Sequence, residues 1–233
     1  QECLPHRKVF SEQKVCPIGG VRRSGLSAWA LAGGAVDFSA GFIELPLSDQ
    51  DLAGLRSRAV FKLDEIHRKD RLLRTGDVVV DLGAAPGSWS AFARSVVGDK
   101  GRVVAVDLLP LDELPGVEYI QADFAAELTE TRLFESVGRH SVDLVLSDMA
   151  PNISGNWTVD QPRAMELAEA AFDFALRALR PGGSLVLKLF QGEGFDALVK
   201  AARAAFDTVK LRKPSASRAE SREMYLVARN YRV

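Results

Sequence analysis

With 233 residues, 47% of them hydrophobic, and a formal net charge of -1, the chain suits one α/β domain with some decoration. It can bury a full core, which excludes a chain that is disordered throughout. Two cysteines, Cys3 and Cys16, and three scattered histidines, His6, His67 and His140, exclude a disulfide framework and supply no zinc-like spacing. No metal is therefore expected, and a reducing cytoplasm fits.

Residues 1–50 read differently from the rest. The sequence opens on Gln1 rather than Met, as a fragment or processed chain would. Arg22-Arg23 before Leu26-Ser27-Ala28-Trp29-Ala30-Leu31-Ala32 faintly outlines a signal peptide. That run is too short to span a membrane, and Gly33-Gly34 breaks the apolar pattern directly after it. The preferred expectation is an N-terminal extension of unknown role over 1–50, partly disordered, or a wrongly assigned start. The domain itself is expected over 51–233, with no membrane segment.

Helical periodicity covers 52–73, with Ala59, Leu63, Ile66 and Leu73 near one face, and Thr75-Gly76 ends it. Strands and helices then alternate. Strands are predicted over 78–81, 102–107, 116–121, 142–147 and 184–190, and helices over 88–97, 126–137, 163–179 and 195–206. Arg180-Pro181-Gly182-Gly183 stops the third of these helices, because neither proline nor glycine continues one well. Two late strands, 208–212 and 224–228, leave no room for a helix between them, which predicts an antiparallel pair at the sheet edge. Largely apolar strands separated by helices predict a parallel sheet covered on both faces.

Asp81-Leu82-Gly83-Ala84-Ala85-Pro86-Gly87-Ser88-Trp89 follows the first strand and opens a helix. In an open α/β sheet, ligands sit beyond the carboxyl ends of the strands, and glycine there lets a ligand approach the backbone. The spacing is not the GxGxxG that cradles a pyrophosphate. This disfavours a nicotinamide-dependent oxidoreductase and favours a nucleoside without phosphates, S-adenosylmethionine (SAM). Asp107, ending the second strand, either bonds ribose hydroxyls or caps its turn. Asp123, after the third, either accepts from an adenine amino group or caps the next helix. Trp89 either packs over the cofactor or joins helix to sheet.

A SAM site implies methyl transfer, and the end of the fourth strand speaks to the acceptor. Asp148-Met149-Ala150-Pro151-Asn152 has one proline and no aromatic, unlike enzymes that methylate the exocyclic amines of bases. Carbon methylation of pyrimidines needs a cysteine nucleophile, and no cysteine follows Cys16. A hydroxyl acceptor remains. Lys188 lies inside Leu185-Val186-Leu187-Lys188-Leu189-Phe190, where a charge is costly unless it faces a polar site. Lys62, Asp148 and Glu223 are the further polar residues that could join it. Singly, Lys62 reads as a solvated helix lysine and Glu223 as a surface acid at a strand start.

From residue 55 to the end, the chain resembles the FtsJ/RrmJ ribose 2′-O-methyltransferases. The resemblance rests on Ser57-Arg58-Ala59-Val60-Phe61-Lys62-Leu63-Asp64-Glu65-Ile66, Asp81-Leu82-Gly83-Ala84-Ala85-Pro86-Gly87 and Asp107-Leu108-Leu109-Pro110. It rests also on Ser147-Asp148-Met149-Ala150-Pro151-Asn152, Lys188-Leu189-Phe190-Gln191-Gly192-Glu193-Gly194, Ser217-Arg218 and Ser221-Arg222-Glu223. It implies a Rossmann-like class I SAM-dependent methyltransferase: a seven-stranded, mostly parallel sheet with one antiparallel strand and helices on both faces. It implies a catalytic tetrad of Lys62, Asp148, Lys188 and Glu223, with Lys188 foremost and Asp148 and Lys62 placing and tuning it. It places Gly87, Trp89, Asp107, Asp123 and Asp148 at the cofactor.

The short bacterial members act on a uridine of 23S rRNA within the large ribosomal subunit. The partner implied is therefore RNA, for a monomer with no obligate protein partner. Tetrads of this kind also serve tRNA and mRNA caps, and a non-catalytic RNA-binding module could keep the fold. Two basic zones fit an RNA partner, although solvated helix faces would read the same. One runs through Arg56, Arg58, Lys62, Arg68, Lys69, Arg71 and Arg74. The other runs through Lys200, Arg203, Lys210, Arg212, Lys213, Arg218, Arg222, Arg229 and Arg232. Two departures stand out: Ser88 replaces a glycine frequent in the family, and residues before about 51 match nothing in its bacterial members.

Overall fold

A computed structural model describes residues 59–218 and 220–232. The expectations for residues 1–50 lie outside the described residues. Helix α1 spans Ala59–Asp70, and strand β1, Val78–Leu82, follows. Then come α2 (Ser88–Val97), β2 (Arg102–Asp107), β3 (Val117–Gln121), α3 (Glu127–Val137) and β4 (Val142–Ser147). The chain ends with α4 (Trp157–Ala178), β5 (Leu179–Phe190), α5 (Phe195–Ala205), β6 (Phe206–Arg212) and β7 (Glu223–Tyr231). The seven strands lie in the order β3-β2-β1-β4-β5-β7-β6. Neighbours from β3 to β5 pair parallel, and β7 runs antiparallel to both β5 and β6. The predicted sheet, its single antiparallel strand and the edge pair are all present. None of the described helices is long and apolar enough to cross a membrane.

Because successive strand side chains point to opposite faces, the sheet sorts its residues into two cores. Val80, Leu82, Val104, Val106, Val145, Leu185, Leu187, Leu189, Leu226 and Ala228 pack on one side against α3, α4 and α5. Val79, Val103, Leu144, Leu146, Val186, Tyr225 and Val227 pack on the other against α1 and α2. Each fully buried valine or leucine contributes roughly 1.5–3 kcal/mol. A one-residue slip of any central strand would therefore exchange its two faces at large cost.

Two predicted helix boundaries differ from the structure. Helix α1 ends at Asp70 rather than near Leu73. His67 is the reason: its carbonyl accepts from the Arg71 N–H, and its ring Nδ1 accepts from the Leu73 N–H at 3.2 Å. Arg71 adopts φ 48° and turns the chain, so that Leu72 and Leu73 enter the core. Helix α4 starts at Trp157, ahead of Pro162, rather than after it. Proline early in a helix forfeits few bonds. Asn156 caps the start, its side chain accepting from the Thr158 N–H. The Asp160 carboxylate gathers the Ser154 and Gly155 N–H groups from the preceding loop. At β5 the sheet register shifts between Val142 and Leu144, so the Arg180–Gly183 stop becomes an irregularity within a longer strand.

Candidate active site

The face that carries α1 and α2 changes character at the carboxyl ends of the parallel strands. Alternation from Val79 puts Asp81 on that face. Alternation from Val103 puts Asp107 there, and from Val186, Lys188. Asp148 continues the parity of Leu144 and Leu146 one step beyond β4, with its N–H donating to the Leu82 carbonyl at 3.2 Å. Glu223 and Tyr225 share the face with Val227 on β7, and Lys188 lies directly opposite Tyr225 across the antiparallel ladder. Polar groups from five segments thus share one rim without disturbing the core below.

The four tetrad residues meet there. Lys62 Nζ lies 2.7 Å from Glu223 Oε1, and Lys188 Nζ lies 3.3 Å from Asp148 Oδ1 and 3.4 Å from the Asp148 carbonyl. Between these two ion pairs stands a residue that sequence reasoning missed. The Tyr225 hydroxyl accepts from Lys62 Nζ at 3.3 Å and donates to Asp148 Oδ1 at 2.7 Å. A phenol can do both at once, whereas a carboxylate only accepts and an ammonium only donates. The signal was available: a tyrosine two positions after Glu223, on the same strand face. Burial, then the Asp148 charge and hydrogen bond, push the Tyr225 hydroxyl far above its ordinary range, so it keeps its proton. Burial would raise the Glu223 carboxyl, but the hydrogen bond from Lys62 and the charges of Lys62 and Lys188 outweigh it. Glu223 stays below the usual carboxylate range and remains ionised.

Beside the tetrad lies the turn from β1 into α2. Gly83 has φ +78°, and a Cβ there would come within 3.0 Å of the Met149 backbone. The turn therefore crosses the end of β4 at a distance that only glycine permits. Gly87 precedes α2 with φ +97°, and a Cβ on it would collide with the Leu111 and Leu114 side chains. The Ala85–Pro86 bond is cis. Ser88, where the family often has glycine, is buried as the first residue of α2. Asp107 braces this turn: Oδ2 accepts from the Ala85 N–H and Oδ1 from the Leu109 N–H, both at 2.8 Å.

Asp81, also missed as a site residue, is wholly buried. Its Oδ2 accepts from Ser90 Oγ at 2.5 Å, while its Oδ1 has no hydrogen-bond partner among the described residues. Burial, only partly offset by Ser90, together with the charges of Asp148 and Asp107, lifts its carboxyl to about 7. Three acidic groups thus stand at neighbouring strand ends: Asp148 is paired with Lys188, Asp107 accepts from backbone N–H groups, and Asp81 keeps one oxygen unmet among the described residues.

Two expected cofactor residues stand apart from the tetrad's hydrogen bonds. The Trp89 indole is 3% exposed, donates to the Ala59 carbonyl at 2.7 Å and packs 5.8 Å from the Tyr225 ring. Its side chain joins helix to sheet. Asp123 is exposed, and its Oδ1 accepts from the Ala125 N–H at 2.9 Å, the capping arrangement. The second basic zone meets the end of α1 through two of its residues. Lys210 and Arg212 on β6 bind the buried Asp70 carboxylate at the end of α1, at 3.1 Å for Lys210 Nζ and 2.7 Å for Arg212 Nε.

Comparison with known proteins agrees with this architecture. The family described as FtsJ-like methyltransferase matches residues 55–231. Proteins named ribosomal RNA large subunit methyltransferase E, from Pseudomonas paraeruginosa strain PA7 and Pseudomonas aeruginosa strain PAO1, are each 56% identical over 179 residues. The match covers 77% of this chain and 86% of theirs. Among solved structures, a ribosomal RNA methyltransferase of Plasmodium falciparum superposes with a TM-score of 0.68 at 27% identity, over 76% of this chain and 98% of that one. A fibrillarin/Nop5p complex shares the fold, with a TM-score of 0.52 at 20% identity over 76% of this chain and 85% of that one. With its glycine turn and lysine–carboxylate rim standing where such a sheet binds its ligands, the chain belongs to the FtsJ-like methyltransferase family.

Proposed function

We propose that this protein transfers the methyl group of SAM to a ribose 2′-hydroxyl of large-subunit ribosomal RNA, at a uridine of 23S rRNA. The observation that carries the reading is the meeting of Lys62, Asp148, Lys188 and Glu223 around Tyr225, beside the glycine turn. The donor site fits SAM. Asp81 Oδ1 lacks a partner among the described residues, and Asp107 and Asp148 add negative charge for a ligand that is cationic at sulfur and at its amino group. In this reading Asp107 is assigned to the ribose hydroxyls, Gly87 and the Trp89 backbone to close approach, and Asp123 to the adenine edge. SAM bound there supplies an electrophilic methyl on a sulfonium, and the bond to sulfur breaks as the bond to oxygen forms.

The chain's own residues act on the acceptor. In this reading Lys188 Nζ is assigned to the 2′-hydroxyl, where it aligns the oxygen by hydrogen bonding and, as the neutral amine left once its ammonium has given up a proton, takes the hydroxyl proton. Asp148 holds that amine from one side, with its carboxylate and its carbonyl. Tyr225 fixes the Asp148 carboxylate, and the Lys62–Glu223 pair fixes Tyr225. Such positioning in a desolvated site supplies much of the catalytic gain for a poor nucleophile.

RNA follows from the names of the relatives and from the surface. Arg68 and Lys69 on α1 and Lys210 on β6 keep about half of their side chains exposed, which leaves them able to meet phosphates. The protein is proposed to work as a monomer in the cytoplasm. The decisive test incubates it with tritiated SAM and either large ribosomal subunits or tRNA from a strain lacking the modification, and maps the label to a ribose. Label in a 23S uridine is expected. Label in tRNA alone would move the substrate, and bound SAM with no transfer to any RNA would sink the enzymatic reading.

A further inference from the structure

Outward from Lys188 the rim continues as an aromatic step. The Phe190 ring centre lies 5.7 Å from Lys188 Nζ, on the same face of β5. The Trp157 indole meets Phe190 edge to face at 6.1 Å, and the Arg222 guanidinium lies 4.8 Å from the Trp157 ring centre. Three elements hold these groups in place. Trp157 opens α4 behind the Asn156 cap. Gln161, one turn on, donates to the Glu193 carbonyl at 2.5 Å and ties α4 to the loop after β5. The Gln191 N–H donates to the Arg222 carbonyl at 3.1 Å and ties that loop to the start of β7.

Trp157 and Phe190 belong to neither of the two cores. Trp89, which serves packing, is 3% exposed. Trp157 and Phe190 are only half-buried, and Arg222 is exposed. A guanidinium stacked on an indole extends the flat surface while its in-plane N–H groups still point outward. Unpaired RNA bases are held by flat surfaces of this kind, with basic groups tracking the phosphates. With a 2′-oxygen at Lys188, the step begins 5.7 Å away at Phe190, a distance a neighbouring nucleotide can span.

We propose that Trp157, backed by Phe190 and carrying Arg222, is a stacking platform for an unpaired base next to the methylated ribose, with the Arg222 N–H groups meeting the adjoining phosphate. This inference rests on the RNA-methylating reading above, and its tests separate the two. With large subunits lacking the modification, Trp157→Ala is expected to raise KM for subunits about tenfold, leaving kcat and SAM affinity within twofold. Trp157→Phe should restore most of that loss, and Arg222→Gln, at an exposed position that spares the fold, should raise KM several-fold. Independently, a single-stranded oligouridine should quench tryptophan fluorescence in the unsubstituted protein and lose that quench in Trp157→Phe. An active enzyme whose KM is unmoved by both Trp157→Ala and Arg222→Gln overturns the platform. So does equal impairment of the Ala and Phe variants with a matching fall in Tm. Should the protein transfer no methyl to subunits, the fluorescence decides alone. A quench that depends on Trp157 keeps the platform while the enzymatic reading falls, and no such quench removes it.

Discussion

Asp70 and Asp81 are the same residue type, and each is 2% exposed or less, yet they behave in opposite ways. Burial raises the carboxyl of both. At Asp70, hydrogen bonds and charges from Arg212 and Lys210 more than offset it and hold the group below its ordinary range. At Asp81, Ser90 is the one side-chain donor among the described residues, the charges that act on it are those of Asp148 and Asp107, and the carboxyl rises to about 7. A buried acid whose counter-charges come from the protein is part of the scaffold. A buried acid short of them, at a strand end, is the kind of group the proposed reading sets beside a cationic ligand.

The largest effect expected at the strand-end site is that of Lys188→Ala. Tritium transfer should fall by about 10²–10⁴-fold, while SAM affinity measured by calorimetry stays near the original. A parallel collapse of SAM binding would mean that Lys188 belongs to the donor site instead. Next comes Asp70→Ala at the scaffold site. It leaves two cations without their carboxylate and should cost roughly 2–3 kcal/mol in urea unfolding, less than a fully buried pair because Lys210 and Arg212 keep solvent contact. SAM affinity of the folded protein should not move, and if it did, the two acids would not be separable.

Tyr225→Phe removes one hydroxyl and should lower kcat about tenfold, as expected for losing a hydrogen bond to a charged group. An unchanged kcat would show that the two ion pairs do not need their bridge. The smallest and most specific effect is in pH. Asp70, with its value depressed, contributes stability that is complete above about pH 4 and is lost as pH falls through its folded value. Asp81 has the opposite sign. Between about pH 4 and about 7 the folded protein holds a proton there that the unfolded chain has released, so this group's contribution to stability declines as pH rises across that window. A cationic ligand must displace that proton, so SAM affinity should climb with pH up to about 7 and then level. Asp81→Asn should flatten the climb, and a flat profile in the unsubstituted protein would contradict the contrast between the two acids.

Most of the fold was legible because its signals are local. Apolar runs of strand length, glycine and proline punctuation, and the absence of helix-length sequence between the last two strands all report on neighbouring residues. The exceptions have local causes with distant partners. His67 ended α1 early by binding Leu73, and Asp160 drew the preceding loop onto a helix that begins ahead of Pro162. At the site, Lys188 was legible because a charge in an apolar strand needs a polar face. Tyr225 was legible only through its parity with Glu223, since a tyrosine in a buried strand otherwise reads as core, and most of its ring is core.

The sequence by itself determined the alternation of elements, the glycine turn, the family resemblance and the residue types for acid–base work on a hydroxyl. Only the tertiary structure decided which of those residues meet. Lys62 and Glu223 are separated by 161 positions, and they touch because β7 inserts antiparallel between β5 and β6. Nothing local encodes that insertion. It satisfies backbone hydrogen bonds and buries both faces of the sheet, and the meeting of charges on one rim follows from the parity it imposes.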